Sequence, residues 1–217
     1  MKHIILLSGL LLAEAAVGCA QAAPRPLPAE AVEATKTTNS NHVFAPGKCN
    51  FEIDNLRGGT FTVDNDSHIK GGVYSAPASE EWSFSVQCHA GASQSDVYDQ
   101  IGAKPVDGKW IDLDFNEPFK PDQKFKLIEF TGKNWKGIGT AVDQIYYADA
   151  DRRSRFFNFC LVENNGPQVL CGRTQIRGVT QPSSASKLPK IMSVLKTIEF
   201  VDVSASAPAS SNTEAVH

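Results

Sequence analysis

The residues predict an α+β fold: a mostly antiparallel sheet with two short helices packed on it, closed into a disulfide-stapled sandwich. Three observations carry that class. Arg155 to Val179, RFFNFCLVENNGPQVLCGRTQIRGV, reads as two strands folded back on each other, dense in Phe, Val, Leu, Ile and Thr and broken once by Asn-Asn-Gly-Pro. Two short segments elsewhere carry helical spacing instead of alternation. Four cysteines, Cys49, Cys88, Cys160 and Cys171, fall inside the folded region and can pair among themselves.

The central hairpin has a register that can be argued. A two-residue Asn165-Gly166 turn would need the amide of residue 167 to bond back across the loop, and Pro167 has no N–H. A four-residue loop, Asn164 to Pro167, is therefore expected, with Glu163 and Gln168 as the first hydrogen-bonded pair. Alternating outward, Cys160 then faces Cys171 at a non-hydrogen-bonded position, close enough for an S–S bond. Cys49 is left to pair with Cys88.

The ends frame one domain. Residues 1–23 read as a signal peptide, with Lys2 as positive charge, an apolar run from Ile4 to Leu12 and small residues after it. Ala20-Gln21-Ala22 resembles an ordinary cleavage site, while Ala16-Val17-Gly18-Cys19 resembles a bacterial lipobox that would place lipid on Cys19. Parity favours lipidation, since Cys19 is the odd cysteine. Residues 24–47, rich in Pro, Ala, Glu, Thr and Asn, predict a flexible linker. A single domain is expected over 48–203, enough chain for one core, followed by a Ser/Ala-rich disordered tail over 204–217.

Along the domain, Cys49 to Ile53 and Thr60 to Val63 read as strands around a Leu56-Arg57-Gly58-Gly59 turn, and Asp64 to His68 as an Asx-rich turn. Trp82 to Cys88 alternates like a half-buried strand. Ser93 with Asp96 predicts a capping box, Val97 and Ile101 one apolar helix face, and Gly102 its end. Trp110 to Phe115 is expected as a strand with Ile111, Leu113 and Phe115 on one face and Asp112 with Asp114 on a wet one. Lys124 to Phe130 and Trp135 to Ile145 follow as meander strands, with Gly137 and Gly139 marking a bulge or a close backbone approach. After Pro182-Ser183-Ser184, Leu188, Ile191, Met192 and Leu195 recur at helical spacing, with Ser186 as cap and Pro189 in the first turn. A closing strand is predicted over Thr197 to Val203.

The meander, together with the helix that runs into a closing strand through Ile191-Met192-Ser193-Val194-Leu195-Lys196-Thr197-Ile198-Glu199-Phe200, resembles PsbP-like proteins. The resemblance covers the C-terminal half and implies an α/β/α sandwich. It carries over no functional residue.

No catalytic constellation is expected. His3, His42 and His217 fall outside the predicted domain, His68 lies in a turn and His89 at a strand end. Asp64 to His68 opens like a calcium loop, but Ile69 stands where the glycine is required and Ser75 where the glutamate is. Gly132 to Gly139 lacks the Gly-Lys-Ser/Thr ending of a phosphate loop. Asp112 and Asp114 are the one carboxylate pair that could serve a hydrolase. No cofactor and no metal are predicted.

With a net charge of −3, nothing in the balance points to nucleic acid, and a membrane enters only through the lipid anchor. The expected function is that of an exported bacterial envelope lipoprotein, in the periplasm or anchored on the periplasmic side of the outer membrane, that binds a protein partner. An immunity- or inhibitor-type protein is one concrete form; a hydrolase and a purely structural envelope component are the alternatives. Trp135, flanked by Lys133 and Lys136 at a turn, is the expected anchor of the binding face. The other reading of Trp135 has its indole folded back onto the sheet as core.

Overall fold

The computed structural model describes residues 42–64, 70–145 and 153–202. The expected signal peptide, lipidation of Cys19, most of the linker, the Asx-rich turn of Asp64 to His68 apart from Asp64, which ends a strand, and the tail lie outside the described residues. Within them the chain forms β1 (His42–Phe44), β2 (Phe51–Ile53), β3 (Thr60–Asp64), β4 (Gly71–Ser75), β5 (Ser83–Cys88), α1 (Gln94–Ile101), β6 (Ala103–Val106), β7 (Lys109–Asp112), β8 (Glu117–Pro118), β9 (Lys126–Thr131), β10 (Trp135–Ile145), β11 (Arg153–Glu163), β12 (Val169–Gly178), α2 (Leu188–Leu195) and β13 (Ile198–Phe200).

A seven-stranded antiparallel sheet, in the order β3-β4-β5-β12-β11-β10-β9, runs through the middle. Its centre is the hairpin β11–β12. The Glu163 amide donates to the Gln168 carbonyl at 3.0 Å, closing the four-residue loop, and Cys160 stands opposite Cys171. Both disulfides are those expected: Cys160–Cys171 staples neighbouring strands, and Cys49–Cys88 ties the chain entering β2 to the end of β5. These bridges place the domain in an oxidising compartment of the kind exported proteins meet.

One face of the sheet is fully covered. Phe84, Val86, Tyr74, Phe157, Phe159, Leu161 and Leu170 point into an aromatic core. It is closed from above by Ile191, Val194 and Leu195 of α2 and by a small sheet, β1-β2-β13, through Phe51, Ile53, Ile198 and Phe200. Burial of each large ring here contributes about 1.5–3 kcal/mol. Gly137 and Gly139 are close approaches, not bulges: a Cβ at Gly137 would meet the Phe130 ring at 2.8 Å, and one at Gly139 the Phe157 ring at 2.6 Å. The rings of neighbouring strands occupy the space that a side chain at either position would need.

On the other face α1 sits over β10, β11 and β12, with Val97 and Ile101 packed on Cys160, Cys171 and Val169. The helix forms as predicted. Ser93 Oγ accepts from the Asp96 amide, the Asp96 carboxylate accepts from the Ser93 amide at 2.7 Å, and Gly102 ends it at φ 71°. Thr140 Oγ1 donates to the Ile101 carbonyl at 2.6 Å, fixing the helix end to β10. The chain then makes a second small sheet, β6-β7-β8. Strands therefore cover one face and helices lie on both, a disulfide-stapled α+β sandwich.

Some expectations are corrected. His42 to Phe44 belong to a strand paired with β2, because Phe44 has Phe51 and Phe61 to pack on at 5.7 and 4.6 Å; His42 is thus inside the fold and the linker ends earlier. β2 and β3 belong to different sheets instead of forming one hairpin. The strand through Trp110 ends at Asp112 and pairs with β6 and β8, outside the large meander. The closing strand is shorter than Thr197 to Val203.

Candidate functional site

The expected binding face at Trp135 is overturned. Trp135 opens β10 pointing into the core and is fully buried. Its indole N–H donates to the Ile198 carbonyl at 2.7 Å, and its ring stands edge-on to Phe130 at 5.6 Å. The turn before it is docked, since Asn134 Nδ2 donates to the Phe200 carbonyl at 2.7 Å and its Oδ1 accepts from the Phe200 amide at 3.1 Å. Lys133 bridges Asp54 at 2.5 Å and Glu199 at 2.9 Å, and those hydrogen bonds, Asp54 first, raise its pKa above the ordinary lysine range. Of the predicted trio Lys133 and Lys136 are exposed, but the Lys133 ammonium is engaged by Asp54 and Glu199. A turn residue next to a free strand edge can reach a partner; this one meets β13, which sequence distance hid.

The carboxylate pair is also corrected. Asp112 is 7 % exposed, not wet. Its Oδ1 accepts from the Asp114 amide at 3.0 Å and its Oδ2 from Gln123 Nε2 at 2.8 Å, so it closes the loop that leaves β7. Asp114 lies in that loop, beyond the strand, and is exposed; so is Phe115, at 66 %, although alternation placed it in the core. Positive φ at Asn116 (53°) marks where the strand pattern is broken. The two acids line a cleft of about 460 Å³ with Asp143, Arg153 and Arg173. Asp143 is itself buried and held by Arg155 Nη1 at 2.6 Å. His89 is half-buried, and burial lowers its pKa. Among the described residues no group of three or more His, Cys, Asp or Glu could hold a metal ion.

What the sheet leaves open is more informative. On the α1 side the middle of β10 and β11 is buried at Thr140, Val142, Asn158 and Cys160, but β4, β5 and the part of β12 beyond Cys171 keep an alternating pattern. Their outward residues form a cross-strand row, Thr62 opposite Val73, Val73 opposite Ser85 and Ser85 opposite Arg173. The row is short and polar apart from Val73, which is 42 % exposed. It deepens into a groove of about 660 Å³ bounded by Arg173, Arg177 and Lys187 on one side and by Ser83 and Ser85 on its floor.

Arg173 is held in place. Its guanidinium stacks over the Phe156 ring at 4.4 Å, and its Nη2 donates to Gln144 Oε1 at 2.5 Å. Such a stack fixes the plane of the fork while leaving N–H groups at its rim. Arg177 donates to the Gln181 carbonyl at 2.6 Å, and Lys187 to the Glu81 carbonyl at 2.8 Å, so the other two cations are also tethered at the groove wall. Sequence reasoning missed this surface. The alternation of Ser83-Phe84-Ser85-Val86 and of Arg173-Thr174-Gln175-Ile176-Arg177 marks a wet side, but where α1 stops covering it is a tertiary fact.

Comparison with family models and with curated proteins finds no match for this chain.

Proposed function

We propose that this protein is an exported bacterial envelope protein that works by binding a protein partner, and that the open half-face of the central sheet is where it binds. The observation that carries the reading is the contrast in cover: residues 139–143 of β10 and 157–161 of β11 are buried on both sides, whereas β4, β5 and the part of β12 beyond Cys171 present an ordered, polar strip bordered by three tethered cations. A sheet supplies a preorganised surface, which reduces the entropy lost on association. An immunity- or inhibitor-type role suits such a surface. Two disulfides favour a domain built for an oxidising environment outside the cytoplasm, and a lipid on Cys19 would hold it at the periplasmic side of the outer membrane.

A photoreactive residue placed at Val73 or Gln175 in the native host tests the surface. Adducts with a discrete protein are expected from those two positions and not from Ser193 on α2. Adduct formation from Ser193 alone, or from none of the three, contradicts the reading. Mass spectrometry of the mature N-terminus tests the anchor: a diacylated or triacylated Cys19 is expected, and an unmodified chain beginning at Ala23 contradicts it.

A further inference from the structure

The chemistry of the open face narrows what it can hold. Arg173, Arg177 and Lys187 meet at the groove, and the one acid lining it is Glu81, whose carbonyl is engaged by Lys187. On the far side of Arg173 the sign reverses, because a neighbouring depression is lined by Asp99 and Asp114 together with Asn158. A long polyanion laid along this face would run from attraction into repulsion within a few residues, which disfavours nucleic acid, an anionic polysaccharide or an acidic membrane surface. A short acidic segment of a protein meets only the attractive end.

Spacing adds a second constraint. Arg173 and Gln175 point outward from alternate positions of β12, and beyond the bulge opposite Arg155 and Phe156 Arg177 lines the same groove, so the two guanidinium stems start at most about 13 Å apart along the strand. Carboxylates four residues apart on an extended peptide lie on one face about 13 Å apart, a span the two long arginine side chains can reach from their stems, and the intervening positions would lie over Gln175 and the hydroxyls of Ser83 and Ser85. The stacked, hydrogen-bonded Arg173 presents a planar fork of the shape that a carboxylate accepts in bidentate fashion.

We infer that the groove over β5 and β12 binds an extended acidic segment of the partner protein, with Arg173 and Arg177 taking carboxylates four positions apart. The inference rests on the proposed binding role of the open face and names the partner's chemistry.

The test uses the full chain, labelled with 15N and with both disulfides formed, titrated at low ionic strength with the blocked peptide Glu-Thr-Ser-Thr-Glu and with its Gln-Thr-Ser-Thr-Gln counterpart. Expected are chemical-shift changes centred on Arg173, Gln175 and Arg177. The glutamate peptide should bind about tenfold more tightly, and Arg173→Gln should remove that preference, as loss of one charge-assisted contact predicts. Equal binding of the two peptides, or shifts centred on Lys126 and Lys136, overturns the inference. So does an Arg173→Gln variant that keeps the preference. If inorganic polyphosphate outcompetes the glutamate peptide at the same residues, the groove is a general anion site and the peptide assignment fails. Failure here with adducts still formed from Val73 and Gln175 leaves the open face as the interface and removes only the acidic partner; loss of both removes the face itself.

Discussion

The two faces of the seven-stranded sheet are made from the same strands and do opposite things. Toward α2 and the small sheet, the strands present rings and glycines that interlock, with Phe157 and Phe159 stacked 5.3 Å apart and Phe84 edge-on to Phe159 at 6.0 Å. Toward α1 they present Cys160, Thr140 and Asn158 where the helix covers them, and Ser83, Ser85 and Arg173 where nothing described does. A face that is covered everywhere has its residues chosen by packing. One that is covered over half its width is free to carry other chemistry on the rest, and there a guanidinium is stacked and tethered instead of being left to solvent. Stability should therefore be sensitive to the first face and association to the second.

The largest effect that separates them is at Trp135. Trp135→Ala removes a fully buried indole and leaves the Ile198 carbonyl without its donor, so denaturant unfolding should show a loss of about 3–5 kcal/mol. A loss under about 1 kcal/mol would mean that the ring is not core. Next is the staple beneath α1. Replacing both Cys160 and Cys171 by Ala opens a link of sequence separation 11 and should cost about 3 kcal/mol by loop-closure entropy. Unchanged thermal unfolding of that variant would show that packing under the helix, not the bridge, fixes the hairpin.

Smaller is the cap of α1. Ser93→Ala deletes one side of the capping box and should cost about 1 kcal/mol; no change in the unfolding midpoint would show that tertiary contacts alone hold the helix start. The least energetic test is a titration. Hydrogen bonds from Ser93, side chain first and then backbone, hold the Asp96 carboxyl below its ordinary pKa. With a folded value below the unfolded one, its stabilising contribution is present at neutral pH and is lost as pH falls through the folded value. Side-chain carboxyl shifts followed by NMR should give a depressed pKa in the native protein and a less depressed one in Ser93→Ala, which loses the hydroxyl's hydrogen bond and keeps the backbone one. Equal values in the two would contradict the cap.

Local chemistry was readable from the residues and distant contacts were not. Pro167 forced the four-residue loop and so the Cys160–Cys171 register, and the Ser93/Asp96 pair with Gly102 bracketed α1, because each is decided within a few residues. Trp135 and Asp112 were misread for the opposite reason. The indole is buried by β13, 63 residues further on, and Asp112 is drawn inward by Gln123 on a loop that alternation cannot foresee. The strand at His42 to Phe44 was hidden by a polar, linker-like surrounding, and only the rings of Phe51 and Phe61 give Phe44 a place to pack. As for the candidate site, its wet alternation was legible, but its openness depends on where α1 ends over the sheet.

Arginine footprinting in the native envelope tests the central claim most directly. Phenylglyoxal should modify Arg173, Arg177 and the exposed turn residue Arg57 in the purified protein. In intact envelopes that contain the partner, Arg173 and Arg177 should be protected while Arg57 remains reactive. Equal modification of all three in both settings, or protection of Arg57 alone, would contradict the assignment of the open half-face as the binding surface.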